Sequence, residues 1–306
     1  MRGAGWPHRL ACGTVGATVG LIVAGGLVTN TGAALAVPDW PTTFGHNPFL
    51  FPWAGMVGGV LVEHGHRLLG AGIGLLTVAL GIVLAFGDAR RWVRGLGLLA
   101  VLLVSVQGLI GGLRVVLLQD TLAIVHGCLA QLFFALLVTV AVVTGPGWRH
   151  PTAVTAAAQR LVPFGGLALT VVYGQVVLGA FTTHAGGLWW HVAGAVLTTG
   201  VLVGLALAVL RGAGEDPVLA WWGRALKALL AGQLALGLGA YTVRFTDLGV
   251  PGGQLMVVAL PVAHRAVGAL LLGATVALAL HLARRSARPA PAAGGRDALV
   301  SSEVPA

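Results

Sequence analysis

Eight apolar segments, each long enough to cross a bilayer, follow one another along the chain, and this constrains its fold more than any other feature. They run from Leu10 to Thr29, Gly59 to Phe86, Gly95 to Leu118, Thr121 to Thr144, Leu161 to Thr182, Leu188 to Leu210, Ala225 to Val243 and Leu255 to Leu282. A hydrocarbon core of roughly 30 Å is crossed by about 20 helical residues. In that medium backbone polar groups must be satisfied within the segment, so each run is expected to be an α-helix. With 57% apolar and 9% charged residues, the chain has too little polar surface for a water-soluble fold. The expected fold is an all-α integral membrane protein of eight transmembrane helices.

A net charge of +9 raises the question of nucleic acid, but the basic residues lie scattered through short connections and form no patch. They carry an orientation signal instead. Placing the N-terminus inside puts Arg2, Arg9, Arg90, Arg91, Arg94, Arg149, Arg160, Arg211, Arg224, Lys227, Arg284, Arg285, Arg288 and Arg296 on one side, which is 14 of the 18 basic residues. That side is expected to be cytoplasmic, with both termini on it. Arg67, Arg114, Arg244 and Arg265 remain near the outer ends of spans. The segment Met1 to Arg9 lacks the character of a transit peptide, and the first span shows no signal-peptide cleavage site. Residues 285–306, rich in Ala, Pro, Arg and Gly, read as a disordered cytoplasmic tail. Cys12 and Cys128 sit at opposite depths and are expected to be unpaired small hydrophobes.

An internal repeat organises the spans. Gln107-Gly-Leu-Ile-Gly111, Gln175-Val-Val-Leu-Gly179 and Gln233-Leu-Ala-Leu-Gly237 each place Gln and Gly one turn apart on a helix face. Gly26-Leu-Val-Thr-Asn-Thr-Gly32 also resembles Gly179-Ala-Phe-Thr-Thr-His-Ala-Gly186, with one residue inserted. Spans one to four therefore read as a diverged copy of spans five to eight. The expected architecture is two pseudo-symmetric four-helix bundles, residues 1–150 and 151–284, related about an axis along the membrane normal.

Four histidines, His66, His126, His191 and His264, fall in the outer third of the even-numbered spans, two per half. An intramembrane histidine is costly unless something satisfies it. One reading is an interhelical hydrogen bond for each; zinc or copper is another, although no Cys, Asp or second His supports a compact cluster. The arrangement favours heme, because two imidazoles on neighbouring helices can supply both axial ligands of one iron. Gly70, Gly127, Gly194 and Gly268 beside them would let a flat macrocycle lie close to the backbone. Arg67 and Arg265 follow two of the histidines and are candidate partners for heme propionates, with snorkelling to headgroups as the alternative. Glu63 shares a face with His66 and is expected either to act on a bound heme edge or to form an ion pair with Arg67. His64 points elsewhere and is secondary; His46, His150 and His281 read as solvated, and His184 stands near the second site. The loop from Asn30 to Trp53 carries Pro38-Asp39-Trp40-Pro41, stiff and aromatic enough to fold over the first-half site.

Leu35-Ala-Val-Pro-Asp-Trp-Pro41, Glu63-x-x-His66-Arg67 and the Gln-x-x-x-Gly spans together resemble the heme A synthase family, over about residues 15 to 280. The resemblance implies a bacterial inner-membrane enzyme that oxidises a methyl group of heme O to the formyl group of heme A by successive hydroxylations. It implies that His66 and His126 ligate substrate heme O, that His191 and His264 ligate a heme b cofactor, and that Glu63 is catalytic. The lipid bilayer, heme O, the heme O synthase and cytochrome c oxidase assembly proteins are the partners it suggests, with a homo-oligomer left open.

Three departures stand out. The first external loop has no cysteine pair, so a disulfide relay cannot operate; His191 is followed by Val192 where an arginine is familiar; and Asn30 stands where a basic residue is often found. A non-enzymatic two-heme electron carrier or heme-binding assembly factor of the same fold is the alternative function.

Overall fold

The computed structural model describes residues 5–149, 152–213 and 215–286. Within them lie eight α-helices and no β-strand: α1 (Trp6–Asn30), α2 (Gly58–Gly87), α3 (Arg91–Leu117), α4 (Asp120–Thr144), α5 (Ala156–His184), α6 (Leu188–Gly212), α7 (Pro217–Phe245) and α8 (Gln254–Ser286). All eight are long and apolar enough to cross a membrane. The largest difference from the hydropathy reading is at α7, which starts at Pro217 instead of Ala225. Its cause is a cap. Asp216 accepts hydrogen bonds from the amides of Val218 and Leu219, and Pro217 occupies a first-turn position that needs no donor.

The helices close into two circuits. α1 and α3 each pack on α2 and α4; α5 and α7 each pack on α6 and α8. The circuits meet where α8 touches α1 and α4, and where α4 touches α5. Lipid offers no hydrophobic drive for helix association, so contact depends on close fit and small residues. Gly81 and Gly97 bring α2 and α3 together, and Gly165 receives Ala279 and Leu282 of α8. One buried cluster is confined to α1–α4, with Leu80, Leu84, Phe133 and Leu137 at its centre. The second is built from α5–α8 but also takes Ile22, Phe134 and Val138 from the first circuit. Large side chains such as Phe86, Leu98, Trp189 and Val196 stand exposed around the outside, as suits a protein whose solvent is lipid.

Residues 285 and 286, expected to open a disordered tail, belong to a helix. Helix α8 continues through Ser286, and Arg285 is buried in an ion pair with Asp216, NH2 to Oδ1 at 3.1 Å. Burial raises the Asp216 pKa, but the Arg285 hydrogen bond and the Leu219 amide outweigh it and hold the carboxyl below its usual range. Residues 287–306, Arg2 and His150 lie outside the described residues, as does the side chain of Arg149. His281, expected to be solvated, is instead half-buried: its ring packs beside Trp148 and Trp222 and meets Arg285 NH1 at 3.3 Å. The two aromatic neighbours come from two other elements, so nothing local in the sequence announced them.

Candidate functional site

Each of the four intramembrane histidines sits over a glycine of the helix before it. A Cβ added at Gly25 of α1 would lie 3.1 Å from Cε1 of His66. The same distance is 2.9 Å from Gly111 of α3 to His126, 3.2 Å from Gly179 of α5 to His191, and 2.9 Å from Gly237 of α7 to His264. Three of these glycines end the Gln-x-x-x-Gly motif. The motif is thus a seat: glycine admits the imidazole edge-on, and glutamine one turn earlier reaches the histidine's own helix. Gln107 Nε2 donates to the His126 carbonyl at 2.8 Å, and Gln175 Nε2 donates to the His191 carbonyl at 2.9 Å. Sequence reasoning found the motif but missed its purpose, which appears only when the next helix brings its histidine alongside. Helix α1 has a seat without the glutamine, since Leu21 precedes Gly25 by four residues.

The second-circuit rings stand edge to face. Their centroids are 6.2 Å apart with planes at 83°. Two imidazoles bound at about 2 Å on opposite sides of one metal have centroids roughly 6 Å apart, and each ring need only stand perpendicular to a macrocycle between them. The Gly186–Gly187 turn, with φ of 85° and 94°, returns the chain from α5 into α6 and sets His191 within the first turn of that helix. His264 Nδ1 donates to the Gln233 carbonyl at 3.2 Å, which puts the lone pair on Nε2, where the Gln233 side-chain amide approaches to 3.4 Å. In the first circuit His66 lies within electrostatic reach of His126. Among the described residues the buried Nδ1 of His66 has no hydrogen-bond partner, and that of His126 makes none of good geometry although the Gln107 backbone carbonyl lies close enough to act on the ring. No group of three or more His, Cys, Asp or Glu side chains fit to hold a bare metal ion occurs among the described residues. Paired imidazoles without supporting carboxylates or thiolates suit a metal that already carries four equatorial donors, as heme iron does.

The glycines beside the histidines divide between the circuits. Gly70 and Gly127 face open space, but Gly194 is filled by the side chains of Gln175 and Leu178, and Gly268 by Gln233. The expectation that all four flank a macrocycle therefore fails in the second circuit, where the preceding glutamines occupy that room.

Above the first pair, residues 31–57 form a cap pinned to α2. Arg67 makes three hydrogen bonds to it and one within α2: NH1 donates to the carbonyls of Asp39 (2.7 Å) and Thr42 (3.2 Å), and NH2 to Val37 O (2.8 Å) and to Glu63 Oε1 (2.8 Å). Glu63 is buried, and its second oxygen accepts from the Val37 amide at 3.0 Å. The ion-pair reading of Glu63 is thus observed. His64, ranked as secondary from the sequence, is a buried peg of the same cap, 3.1 Å from Thr43 Oγ1 and packed against Phe51. Its one advance signal was its place beside Glu63 on a helix facing the longest loop. The Trp40 ring lies against Gly112, the residue after the seat of His126. Asp39 ties the loop together, accepting from the Thr42 hydroxyl (2.5 Å), the Phe44 amide (2.7 Å) and the Gly45 amide (2.9 Å). Burial raises its pKa, yet these bonds outweigh that and bring the carboxyl to about 2.

The remaining outer cations behave differently. Arg265 reaches from α8 to α1, where its one hydrogen bond, to Thr29 Oγ1, is 3.4 Å long. Arg244 donates to Asn30 Oδ1, the residue standing where a basic side chain was noted as usual. Arg114 and Arg265 both lie within electrostatic reach of His184.

The fold and these seats define a class: a polytopic membrane protein with intramembrane imidazoles held in pairs. Residues 53–188 match the cytochrome oxidase assembly protein family COX15-CtaA, the heme A synthase family that the motifs resemble. The match runs from the cap through α5, includes Glu63, His66, Arg67 and His126, and ends three residues before His191. No curated protein matches the sequence.

Proposed function

We propose that the protein is a heme A synthase, oxidising a methyl substituent of heme O to the formyl group of heme A, with a resident heme b as redox partner. The carrying observation is the geometry of the imidazoles: each of the four lies over a glycine of the preceding helix, and the second-circuit pair has its ring centroids 6.2 Å apart. The family match supplies the chemistry to which that geometry is assigned. On this reading His66 and His126 hold the substrate heme and His191 and His264 hold heme b. The orientation that puts basic loops inside sets both sites toward the outer leaflet of a bacterial inner membrane.

Heme b, when bound, supplies one-electron chemistry that no side chain of this chain can provide. The protein's own contribution is placement. His66 and His126 fix the substrate's iron, and the glycine seats fix the rings. Open space at Gly70 leaves room for a flat group along α2. Glu63, held by Arg67 and the Val37 amide, keeps a carboxylate one turn from His66 and so sets the field at the edge of the substrate. The pinned cap, with Trp40 against α3, excludes water from that side. Arg265, which has no carboxylate partner among the described residues, is the better placed of the two arginines to receive a propionate, because Arg67 is committed to the cap.

Full engagement of both Glu63 oxygens is the feature that favours the second reading, a two-heme carrier without catalysis. Extraction of the pigments after co-production with a heme O synthase separates the two. Heme b accompanied by heme A or hydroxylated heme O is the expected outcome; heme b alone selects the carrier, and a preparation with no Soret band rejects both.

A further inference from the structure

Between Asp39 and Glu63 the chain runs for 23 residues without an Asp, Glu, Lys or Arg. About a quarter of the residues in ordinary soluble domains are charged, so a water-facing stretch of this length would hold about six. Residues 40–57 of the stretch belong to the cap over α2, and their side chains divide by direction. Thr43 and Phe51 turn inward: the Thr43 hydroxyl lies 3.1 Å from His64 Nδ1, and the Phe51 ring packs on the His64 imidazole with centroids 5.1 Å apart. Phe49, Leu50, Trp53 and Val57 turn outward and are between 66% and 83% exposed. An apolar patch of this kind marks a contact.

Two observations identify lipid as what it contacts. The patch is continuous with a lipid-facing surface. Val57 is the N-cap of α2, and Leu61, Leu75, Ile82 and Phe86 follow it along one face of that helix, each more than half exposed. Helix α2 is long and apolar enough to cross a membrane, so the cap extends the surface that lipid covers. Trp189 and Trp190, which open α6 at the same end of the bundle, are each 74% exposed, and exposed tryptophan gathers at the boundary between headgroups and hydrocarbon. The backbone, in addition, is prepared for a medium poor in water. Pro48 and Pro52 have no N–H to satisfy. The Phe49 amide donates to Asn47 Oδ1 at 2.9 Å, Leu50 to the Asn47 carbonyl at 2.9 Å, Gly55 to the Pro52 carbonyl at 2.9 Å and Met56 to the Trp53 carbonyl at 3.0 Å.

We propose that residues 48–57 are an interfacial anchor, with Phe49, Leu50 and Trp53 seated in the headgroup layer of the leaflet at that end of the bundle. Interfacial segments bury their apolar face about 5–10 Å into the boundary between headgroups and acyl chains. The cap is then held from two sides, by the polar pegs Glu63, His64 and Arg67 beneath it and by lipid around it. The anchor depends on the membrane-spanning fold alone and stands whatever the imidazoles bind.

Spin labels on single cysteines test it in the full-length protein, with Cys12 and Cys128 replaced by serine, in phosphatidylcholine nanodiscs. Leu50→Cys and Trp53→Cys report the patch, Leu75→Cys the exposed face of α2, and Asp247→Cys, in the connection before α8, the aqueous side. Collisions with oxygen, which concentrates in the bilayer, are compared with collisions with a water-soluble nickel chelate. At both patch sites nickel collisions should be about five-fold or more rarer than at Asp247, and oxygen collisions should approach their frequency at Leu75. Helical circular dichroism checks the fold of each variant, and Phe49→Cys replaces Trp53→Cys if loss of the tryptophan disturbs it. Nickel collisions as frequent as at Asp247 place the patch in water and overturn the anchor. Protection from both reagents means that protein covers the patch, a second copy of the chain or another partner, and overturns it equally.

Discussion

A methyl group at Gly237 would lie 2.9 Å from Cε1 of His264, with the imidazole already bonded to the Gln233 carbonyl behind it. The ring cannot retreat without leaving its partner. On the proposed heme reading Gly237→Ala should therefore abolish low-spin heme absorbance at the second site, at an overpacking cost of about 1–3 kcal/mol. Gly232→Ala, on the same helix with nothing within 4 Å, should leave the spectrum unchanged; equal loss in both would mean that α7 tolerates no alanine and that the seat is not special. At Asp39 the prediction concerns pH. Its folded-state pKa of about 2 lies below the ordinary value near 4, so its contribution to the cap is present above about pH 4 and fades as pH falls toward 2. Hydrogen-exchange protection of the Phe44 and Gly45 amides, corrected for intrinsic rate, should be flat above that window and fall within it. Asp39→Asn should remove the dependence. The four site histidines were legible in the sequence because an imidazole in a hydrocarbon span has few innocent explanations. His64 and His281 were not, because what buries them comes from a distant loop in one case and from Trp148 and Trp222 in the other.

At the scale of elements, the eight helices were readable because lipid imposes length and hydropathy together, and only α7 began well outside its apolar run, owing to the Asp216 cap. The cap over α2 was not readable. Residues 31–57 contain two single-turn 3₁₀ segments and one isolated bridge between Thr43 and His46, too little internal structure to fix a path. What fixes it is the face of α2 that presents Glu63, His64 and Arg67, and those contacts span 21 to 30 residues of sequence. Arg67→Lys tests this dependence. Lysine keeps the charge opposite Glu63 but loses the fork that binds three loop carbonyls. Proteolysis within residues 36–46 should accelerate at least ten-fold while the helical circular dichroism stays constant. Arg67→Ala should be worse, because it also strands the buried Glu63 carboxylate, a loss of about 3–5 kcal/mol. If both variants leave the loop as resistant as the parent, the cap is held by Trp40 and Phe51 and not by α2's polar pegs.

For the molecule as a whole the question is how far the two circuits depend on each other. Every imidazole seat is contained in one helical hairpin, α1 with α2, α3 with α4, α5 with α6, or α7 with α8. The junction, by contrast, is shared: Phe134 of α4 is nearly fully buried in the cluster built on α5–α8, and Gly273 of α8 is the small residue against which it packs, its Cβ position 3.1 Å from the Phe134 ring. Gly26 of α1 likewise receives Val262 of α8. Without a hydrophobic drive between helices, such junctions live on fit, and a bulky residue at the contact point has nowhere to go. Gly273→Leu should therefore part the circuits without dismantling either. On the proposed heme reading each site should still bind its heme with an unchanged spectrum, thermal unfolding should split into two transitions, and electron transfer between the hemes should slow by at least ten-fold. Gly273→Ala, a smaller intrusion, should lie between. Loss of both hemes in Gly273→Leu would show that the seats draw their rigidity from across the junction, and that the hairpin is not the unit of the site.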